Sequence, residues 1–332
     1  MKVIALLPFK NEELILPTYL SSMTQIADQI IAIDDGSTDN SRAIVEAAGG
    51  LVIPNSSIVD LGWAEESIRN NLLKLGRENG GTHFISLDAD EAFTFPFVEN
   101  SKKYLNQMNP GQILYLQFLA LWKSNYYYRN DNSVWSNNFK DFIFCDDGIS
   151  NYDSYGFMHT VRRTPGKNNL SKRIIVPVKE GAVLHFQFAN WSIFQIKQSL
   201  YRCWELIDGT KNAVKVNASY SMTLDDPKAI VEEIPKEWFK GLTMPNDSTN
   251  MPWHFQAVFK LFQKHGIEFF EQLEIWHVSE FKDEFIKQKN RVPKSRREFI
   301  GYAIIKAVRD GLKRKVKFLL YYLIKLMFRN NK

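Results

Sequence analysis

The stretch "IAIDDGSTDNS", residues 31–41, decides the predicted fold of this chain. Apolar and small residues run without interruption into two adjacent carboxylates, Asp34 and Asp35. Such a run is typical of a parallel strand covered on both faces, and ligand sites in such sheets lie where the strands end. The Ser, Thr and Asp side chains that follow from Ser37 are typical of the start of a helix. The stretch therefore predicts a strand, a polar turn at the ligand-binding edge of a sheet, and a helix.

Strand and helix alternate over the first part of the chain. Four apolar runs predict strands: "KVIALLPF" (residues 2–9), "ADQIIAIDD" (27–35), "LVIPN" (51–55) and "HFISLDADE" (83–91). The segments between them carry apolar residues at helical spacing. This alternation is typical of an α/β protein with a doubly wound, mostly parallel sheet and helices on both faces. After about residue 110 the alternation ends, and from Trp191 onward the pattern is mostly helical.

Composition bounds the class of protein. The chain has 332 residues, of which 45% are hydrophobic and 24% charged, as in a globular protein with one large domain or two ordinary ones. Its two cysteines, Cys145 and Cys203, lack metal-ligand spacing and indicate no disulfide framework, which favours a reducing compartment. No apolar stretch reaches the roughly 20 residues that span a bilayer. We therefore expect a cytoplasmic protein.

A second group of acids, "LDADE" at residues 87–91, ends the fourth predicted strand. Asp88 and Asp90 are two residues apart, so their side chains point the same way in an extended segment, and Ala89 leaves room beside them. Carboxylate oxygens suit Mg²⁺ or Mn²⁺, which commonly bind one or two carboxylates together with substrate phosphates. The pair predicts a divalent-cation site, with a solvated acidic turn as the alternative.

Several common phosphate-binding and catalytic motifs are absent from the sequence. It contains no G-x-x-x-x-G-K-[ST] P-loop, no G-x-G-x-x-G after the first strand, no G-x-S-x-G and no H-E-x-x-H. A bound nucleotide is therefore expected to have its phosphates neutralised by a metal on Asp90 rather than by a glycine-rich loop.

Four motifs together resemble those of family 2 glycosyltransferases with the GT-A fold. "LLPFKNEE", "AIDDGSTDNS", "RNN" and "LDADE" match that family's successive motifs in order and spacing over roughly residues 1–115. The segments "FMHTVRRTPG" and "GAVLHFQFANW" are similar to the less uniform second half of bacterial members that carry "LDADE". The resemblance implies a GT-A catalytic domain at 1–190, with a nucleotide-sugar half at 1–115 and an acceptor half at 116–190. A helical C-terminal region at 191–332 would follow it.

The resemblance also implies an activity. This is the transfer of a sugar, with inversion at the anomeric carbon, from a nucleotide-sugar donor to an acceptor hydroxyl, with Mn²⁺ or Mg²⁺ as cofactor. A UDP-sugar is the favoured donor, and the acceptor would be a glycan or lipid-linked glycan in the synthesis of a cell-surface polysaccharide such as lipopolysaccharide or capsule. Two alternatives stay open. One is a sugar-nucleotide nucleotidyltransferase, although its usual glycine-rich phosphate loop is absent, and the other is a non-catalytic nucleotide-sugar-binding module.

Donor binding is the role that the resemblance assigns to most residues. These are Pro8, Phe9, Glu12, Asp34, Asp35, Arg69 and Asp88. The first three would line the nucleoside pocket. One acid of the adjacent pair would receive the base or the ribose while the other caps the next helix, and the sequence leaves open which. Arg69 would approach the base or the diphosphate from the third helix, with a surface arginine as the alternative.

The metal is assigned by the same resemblance to Asp90, with Asp88 at the ribose or the metal. A late histidine often joins the metal in GT-A enzymes, and His185 in "VLHFQF" ends another apolar run. A histidine among apolar residues is also common in a protein core, so both interpretations of His185 are kept.

The general base is the least determined residue. Many relatives with "LDADE" carry a His-Glu pair where this chain has His159 and Thr160, so the expected glutamate is absent. The acid pair in "CDDG" resembles a position where the family often keeps its base, which makes Asp147 the first candidate, before Asp146 and His159. Asp153 is a further nearby acid, and a loop-capping aspartate is the alternative role for Asp147.

The C-terminal segment is strongly basic. Residues 294–332 contain twelve Lys or Arg and two acids, whereas the whole chain carries a net charge of only +5, so the remainder is net acidic. As a helix this tail would be apolar over most of its circumference, with basic residues near its start, as in helices that lie on an anionic membrane surface. It predicts peripheral attachment to the inner face of the cell membrane, with docking on the protein's own core as the alternative. Basic residues confined to such a tail argue against a nucleic-acid partner.

Overall fold

The structure, a computed structural model, describes residues 1–56, 65–131, 135–136, 138–153, 164–165, 173–220, 229–245 and 252–294. The strands within these ranges are β1 (Val3–Phe9), β2 (Gln29–Asp34), β3 (Leu51–Pro54), β4 (His83–Ile85), β5 (Glu91–Phe93), β6 (Ile113–Ala120), β7 (Tyr127–Arg129), β8 (Phe139–Cys145), β9 (Arg173–Ile175), β10 (Ala182–His185) and β11 (Val231–Glu233). The α-helices are α1 (Leu16–Met23), α2 (Ser41–Ala47), α3 (Glu65–Glu78), α4 (Phe95–Leu105), α5 (Trp191–Asp208), α6 (Ala213–Tyr220), α7 (Trp253–His265) and α8 (Ser279–Lys289).

Local sequence explains several helix ends. Helix α4 begins with proline in its first turn, where the missing N–H costs nothing. Helix α7 ends at Gly266, whose φ of 79° favours glycine. Helix α8 ends at Asn290 in the left-handed conformation, which asparagine tolerates better than most residues.

The central sheet has nine strands in the order β3-β2-β1-β4-β8-β6-β10-β5, with β9 paired to β6. Strands β3, β2, β1 and β4 run parallel to one another, as do β6, β9 and β10. Strand β8 lies between β4 and β6 and is antiparallel to both, and β5 is antiparallel to β10. The predicted mostly parallel sheet is thus confirmed. The fourth strand ends at Ile85, so "LDADE" forms the turn and short strand that follow it.

Helices cover both faces of this sheet. Ala5 and Leu7 of β1 pack into a buried cluster with side chains of α1, α2 and α4. Ile4 and Leu6 point the other way and pack against α3. Burying each leucine or isoleucine side chain contributes about 1.5–3 kcal/mol, which explains why the strand is apolar on both faces. The prediction of helices on both faces is confirmed.

Strand direction defines two edges of the sheet. Strands β1, β2, β4, β6 and β10 all end at one edge, which we call the carboxyl edge. Strand β8 runs in the opposite direction and therefore ends at the other, amino edge. The residues directly after β8 consequently lie at the opposite edge of the sheet from the residues directly after β1, β2 or β4.

The chain forms two compact units. The first comprises Met1–Phe194 and Pro227–Met251, and the second comprises Gln195–Asp226 and Pro252–Lys332. The returning segment joins the first unit because β11 pairs antiparallel with β7. A strand in this otherwise helical part of the sequence was not predicted, because all three residues of β11 are exposed and carry no apolar pattern. The functional division at residues 115 and 190 stays a prediction.

The second unit has an aromatic core. Phe262 packs against Phe270, Trp276 and Phe281, with ring centroids 5.5 to 5.9 Å apart. Arg202 is fully buried in this unit, where it donates to the Tyr220 carbonyl at 3.2 Å. These contacts pack α8 against α7 and join α5 to α6.

None of the helices in the described ranges is long and apolar enough to cross a membrane. The basic tail from residue 295, on which the membrane prediction rests, lies outside those ranges.

Candidate active site

Asp34 and Asp35 lie at the carboxyl edge. Asp34 is the register partner of Phe9, and the Asp35 N–H donates to the Phe9 carbonyl at 2.9 Å. Asp34 Oδ1 accepts the N–H of Ser37 at 2.7 Å, across a turn in which Gly36 has a φ of 80°. Asp34 thus stabilises the turn that leads into α2, as a short acceptor does at the start of a helix.

Asp35 instead contacts side chains from neighbouring strand ends. Its Oδ1 accepts from Asn55 Nδ2 at 2.6 Å, and its Oδ2 lies 3.5 Å from Lys10 Nζ. The sequence left open which acid serves the fold. The hydrogen bond to Ser37 gives that role to Asp34, and Asp35 is therefore the better candidate for a ligand.

The segment after β1 is bound to the same turn. The Thr38 N–H donates to Asn11 Oδ1 at 2.6 Å, and Asn11 has a φ of 52°. Pro8 and Glu12 are partly exposed beside this turn, whereas Phe9 is buried in the hydrophobic core. Of the three residues predicted to line a nucleoside pocket, Phe9 therefore packs in the core, and Pro8 and Glu12 remain accessible at the carboxyl edge.

Arg69 is buried within a polar network rather than exposed on α3. It is 4% exposed. Its Nε donates to Glu65 at 2.9 Å, its Nη1 to Ser86 Oγ at 3.2 Å, and its Nη2 to Asp88 Oδ1 at 2.6 Å. Arg69 is therefore buried and is not the surface arginine that was the alternative. The guanidinium instead links α3 to the turn that carries the "LDADE" acids.

Three side chains form what we call the acid–histidine cluster: Asp90, Glu91 and His185. Each offers a ligand atom, and these atoms lie within 4.8 Å of one another. His185 Nε2 is 3.7 Å from Asp90 Oδ2. The cluster forms because His185 pairs with Glu91 in the β10–β5 ladder, while the Phe186 N–H donates to the Asp90 carbonyl at 2.9 Å.

The donor set of this cluster fits a divalent cation. Glu91 is only 2% exposed, and a buried carboxylate requires compensating positive charge. Among the described residues, Nδ1 of His185 has no hydrogen-bond partner. Two carboxylates and one imidazole suit Mn²⁺ well, and Mg²⁺ accepts the carboxylates.

The cluster and the predicted ligand set differ in one residue. Asp90 and His185, both predicted ligands, lie in the cluster together with Glu91, whereas Asp88 accepts a hydrogen bond from Arg69. Glu91 also accepts the Asp88 N–H at 2.8 Å through Oε2. The final acid of "LDADE" was visible in the sequence, but its pairing with a distant strand was not.

Aromatic rings continue from the cluster along the carboxyl edge. His185 stacks on Phe118 at 4.5 Å and meets Phe188 edge-on at 5.2 Å. Phe188 contacts Trp122 at 5.5 Å, and Trp122 contacts Trp191 at 5.1 Å. Trp191 remains partly exposed. The sequence showed many aromatic residues but not that these four rings adjoin the candidate metal site.

Asp146 and Asp147 do not join these residues. They follow β8, whose last residue Cys145 pairs with His83 at the start of β4, so they lie at the amino edge. Asp146 accepts two hydrogen bonds from Arg77, both at 2.8 Å. This contact raises the pKa of Arg77, and burial raises the pKa of the Cys145 thiol.

Asp147 closes a local turn. It accepts the N–H of Ser150 at 2.8 Å, the hydroxyl of Ser150 at 2.6 Å and the N–H of Ile149 at 3.1 Å. This is the loop-capping role that was the alternative to catalysis. The placement of "CDDG" at the amino edge argues against both of its acids as the general base.

The two other candidates for the base are Asp153 and His159. Asp153 is exposed and follows Tyr152, whose hydroxyl donates to Ser86 Oγ at 3.0 Å, so it lies on the Arg69 side of α3. His159 lies outside the described residues.

Comparison with known proteins identifies the first half of the chain. Residues 5–168 match the family model for glycosyl transferase family 2. A stretch of 91 residues is 37% identical to the undecaprenyl-phosphate 4-deoxy-4-formamido-L-arabinose transferase of Shewanella sediminis (strain HAW-EB3). That match covers 25% of this chain and 27% of the relative, so the chain spans about a quarter of the relative's length.

Solved structures are similar to part of the chain. S. aureus TarS 1-349 in complex with UDP-GlcNAc matches over 36% of this chain and 35% of that chain, with 19% identity and a TM-score of 0.30. Glucosyl-3-phosphoglycerate synthase from Mycobacterium tuberculosis, in complex with Mn²⁺, UDP and glucosyl-3-phosphoglycerate, matches over 36% of this chain and 44% of that chain. Its identity is 20% and its TM-score 0.27.

The family match covers the carboxyl ends of β1, β2 and β4, where the predicted acids lie, and most of the mostly parallel sheet with helices on both faces. The GT-A fold class predicted from the sequence is confirmed. Residues 5–168, just under half of the chain, match glycosyl transferase family 2, and the family resemblance predicted from the sequence is thereby confirmed.

Proposed function

We propose that this protein transfers a sugar from a nucleotide-sugar donor to an acceptor hydroxyl, with Mn²⁺ or Mg²⁺ held by the acid–histidine cluster. One observation carries the proposal. The cluster, Asp35 and the Asp88 carboxylate held by Arg69 all lie at or directly next to strand ends at the carboxyl edge, where ligands bind in open α/β sheets. The family match supports the same reaction class.

The donor side of the proposal rests on two carboxylates. Asp35 would accept hydrogen bonds from the base or the ribose, and Asp88 would accept from the ribose. Asp88 is suited to this because its side chain is 41% exposed while Arg69 fixes one of its oxygens. The donors of Arg69 go to Glu65, Ser86 and Asp88, so we assign Arg69 to holding Asp88 rather than to the diphosphate.

The chemistry follows from charge. Cleavage of the anomeric C–O bond leaves a nucleoside diphosphate with growing negative charge. A divalent cation, when bound, supplies Lewis-acid stabilisation of that leaving group. Asp90, Glu91 and His185 would hold the cation at the carboxyl edge. Asp90 and Glu91 follow Asp88 closely in the sequence, so the cation would lie near that carboxylate. The donor base is proposed to be uracil, as the family resemblance of the sequence favours a UDP-sugar.

The acceptor is proposed to lie on the aromatic side of the cluster. Phe188, Trp122 and Trp191 extend from His185, and Lys123 Nζ is 4.8 Å from the Trp191 ring centroid. Aromatic faces and a nearby cation suit a sugar or a sugar phosphate. The acceptor hydroxyl would attack the face of the donor sugar opposite the leaving group, which inverts the anomeric centre, and would give its proton to a general base.

We further propose that the acceptor is a lipid-linked glycan used in cell-surface polysaccharide synthesis at the inner face of the membrane. Support comes from the relative named as an undecaprenyl-phosphate sugar transferase and from the basic residues of the tail. Attachment through the tail would be electrostatic, with each Lys or Arg near an anionic surface contributing roughly 1 kcal/mol.

A donor screen tests the proposal. Heat of binding and thermal shift would be recorded for UDP-, GDP-, CMP- and dTDP-sugars, with Mn²⁺ and with EDTA. We expect one nucleotide class to bind with Mn²⁺ and to lose binding in EDTA. Asp90→Ala is expected to abolish turnover, whereas Asp208→Ala, which changes an exposed acid in the second unit, is the matched control.

Two outcomes of the screen would contradict the proposal. Binding of none of the four nucleotide classes would remove the donor assignment. Full turnover in EDTA, or by Asp90→Ala, would remove the metal from the reaction.

A further inference from the structure

The segment that follows β8, residues 146–152, makes a series of contacts along α3. At its start, Arg77 Nη2 donates to Asp146 Oδ1 at 2.8 Å, and it also donates to the Ser150 carbonyl at 2.6 Å. Further along, Asn70 Nδ2 donates to the Tyr152 carbonyl at 3.0 Å, and Asn70 Oδ1 accepts the Tyr152 N–H at 2.9 Å. An α-helix rises 1.5 Å per residue, so these contacts carry the segment roughly 10 Å along α3 towards the carboxyl edge.

The Tyr152 side chain ends this series inside the fold. Its ring meets Phe144 edge-on at 6.2 Å and is 6% exposed. Its hydroxyl donates to Ser86 Oγ at 3.0 Å, and Arg69 Nη1 donates to the same oxygen at 3.2 Å. A serine hydroxyl has two acceptor lone pairs, so these two donors use both of them.

Arg69 connects Ser86 to the exposed acid. The guanidinium is planar, with its donors in a rigid fork. Fixing Nη1 on Ser86 and Nε on Glu65 therefore sets the direction of Nη2, which donates to Asp88 Oδ1 at 2.6 Å. Arg69 and Ser86 are buried whereas the Asp88 side chain is 41% exposed, so the network is rigid inside and presents one carboxylate outside.

We propose that Tyr152 is a positioning residue for nucleotide binding. Its hydroxyl, acting through Ser86 and Arg69, holds the carboxylate of Asp88 in the orientation that meets the donor. The inference rests on the proposed function, because it takes Asp88 as a donor-binding residue. It also gives the "CDDG" segment a role, which is to anchor the chain that leads to Tyr152 rather than to take part in the chemistry.

Tyr152→Phe tests the inference, because it removes one oxygen and leaves the buried ring. We expect the Kd for UDP with Mn²⁺ to rise about three- to tenfold, which is what the loss of one hydrogen bond produces. The KM for the donor should rise by the same factor, while kcat stays within about twofold, since the hydroxyl does not touch reacting atoms.

Tyr104→Phe is the matched control. Tyr104 lies on α4, outside the candidate site, and is also 6% exposed. Its hydroxyl donates to Glu180 Oε2 at 2.7 Å. Both variants lose one hydrogen bond of a buried tyrosine, so both should lower the melting temperature. Only Tyr152→Phe should change nucleotide affinity.

Ser86→Ala supplies a second, independent variant. It removes the oxygen that receives both donors, so it should weaken nucleotide binding at least as much as Tyr152→Phe. The double variant should bind no more weakly than Ser86→Ala alone, because the two residues act through one path.

Two results would overturn the inference. Unchanged UDP affinity in a folded Tyr152→Phe protein, with a melting temperature lowered as in Tyr104→Phe, would make the hydroxyl merely structural. Additive losses in the double variant would show that Ser86 does not carry the effect of Tyr152. Failure of the wild-type protein to bind any nucleoside diphosphate with Mn²⁺ is distinguishable from both, and would overturn the proposed function together with this inference.

Discussion

His185 of β10 and Glu91 of β5 are register partners in an antiparallel ladder. Residues directly opposite each other in such a ladder lie on the same face with their Cβ atoms about 5 Å apart. Asp90 precedes Glu91 in the chain and brings a second carboxylate within 4.8 Å of the other ligand atoms. A single strand pairing therefore creates the candidate metal site.

The first prediction concerns Glu91. Glu91→Gln removes one negative charge and keeps the oxygen that accepts the Asp88 N–H. We expect Mn²⁺ affinity to fall at least about tenfold, since even outer partners of metal ligands contribute that much. Mn²⁺ binding followed by electron paramagnetic resonance measures this. Glu46→Gln, an exposed change on α2, should bind as the wild type does. Equal affinity in Glu91→Gln would remove Glu91 from the ligand set.

The second prediction concerns Asp147. Asp147→Ala removes the acceptor of three turn hydrogen bonds, so the free energy of unfolding should fall by about 1–2 kcal/mol. Turnover of the folded variant should stay within about twofold of the wild type, because Asp147 lies at the amino edge. Urea unfolding and a donor-saturated assay measure the two effects. A loss of turnover of about a hundredfold, with donor binding retained, would restore Asp147 as the general base.

The third prediction concerns the packing of α3, which carries Arg69. A Cβ on Gly76 would lie 2.5 Å from Phe84 Cε1 and 3.2 Å from Leu6 Cδ2, and both neighbours are buried. Alanine in a helix gains about 1 kcal/mol over glycine, but overpacking a core costs about 1–3 kcal/mol. We expect Gly76→Ala to be destabilising by urea unfolding. The exposed change Lys74→Ala on the same helix should shift stability by less than about 0.5 kcal/mol. A stabilised Gly76→Ala would show that Phe84 can move aside.

The fourth prediction concerns pH. Burial lowers the pKa of His83 below its usual value, so the folded protein resists protonation of this ring. The unfolded chain takes up the proton near pH 6.5, and the free energy of unfolding should therefore fall as the pH drops below about 6.5. His83→Gln cannot be protonated and should show a shallower loss between about pH 7.5 and 5.5. Urea unfolding at stepped pH measures both curves, and parallel curves would exclude His83 as a cause of the acid sensitivity.

Much of the fold was predictable because its signals are local. The apolar runs that contain β1, β2 and β4 are buried on both faces of the sheet, so each of these strands is recognisable without its partners. The turn at Asp34 was predictable for the same reason, because a short acceptor, Gly36 and a following helix stand within a few residues. The exposed strand β11 was not predictable, since it forms only by pairing with β7.

By itself, the sequence determined the α/β class, the position of the acids at strand ends and the family resemblance of residues 1–115. Only the tertiary structure decided which acids meet. Strand β8 is antiparallel to its neighbours, which places Asp146 and Asp147 at the amino edge. Strand β10 pairs with β5, which places His185 opposite Glu91. The physical reason is that strand direction and register arise from hydrogen bonds between segments far apart in the chain, and no local pattern encodes them.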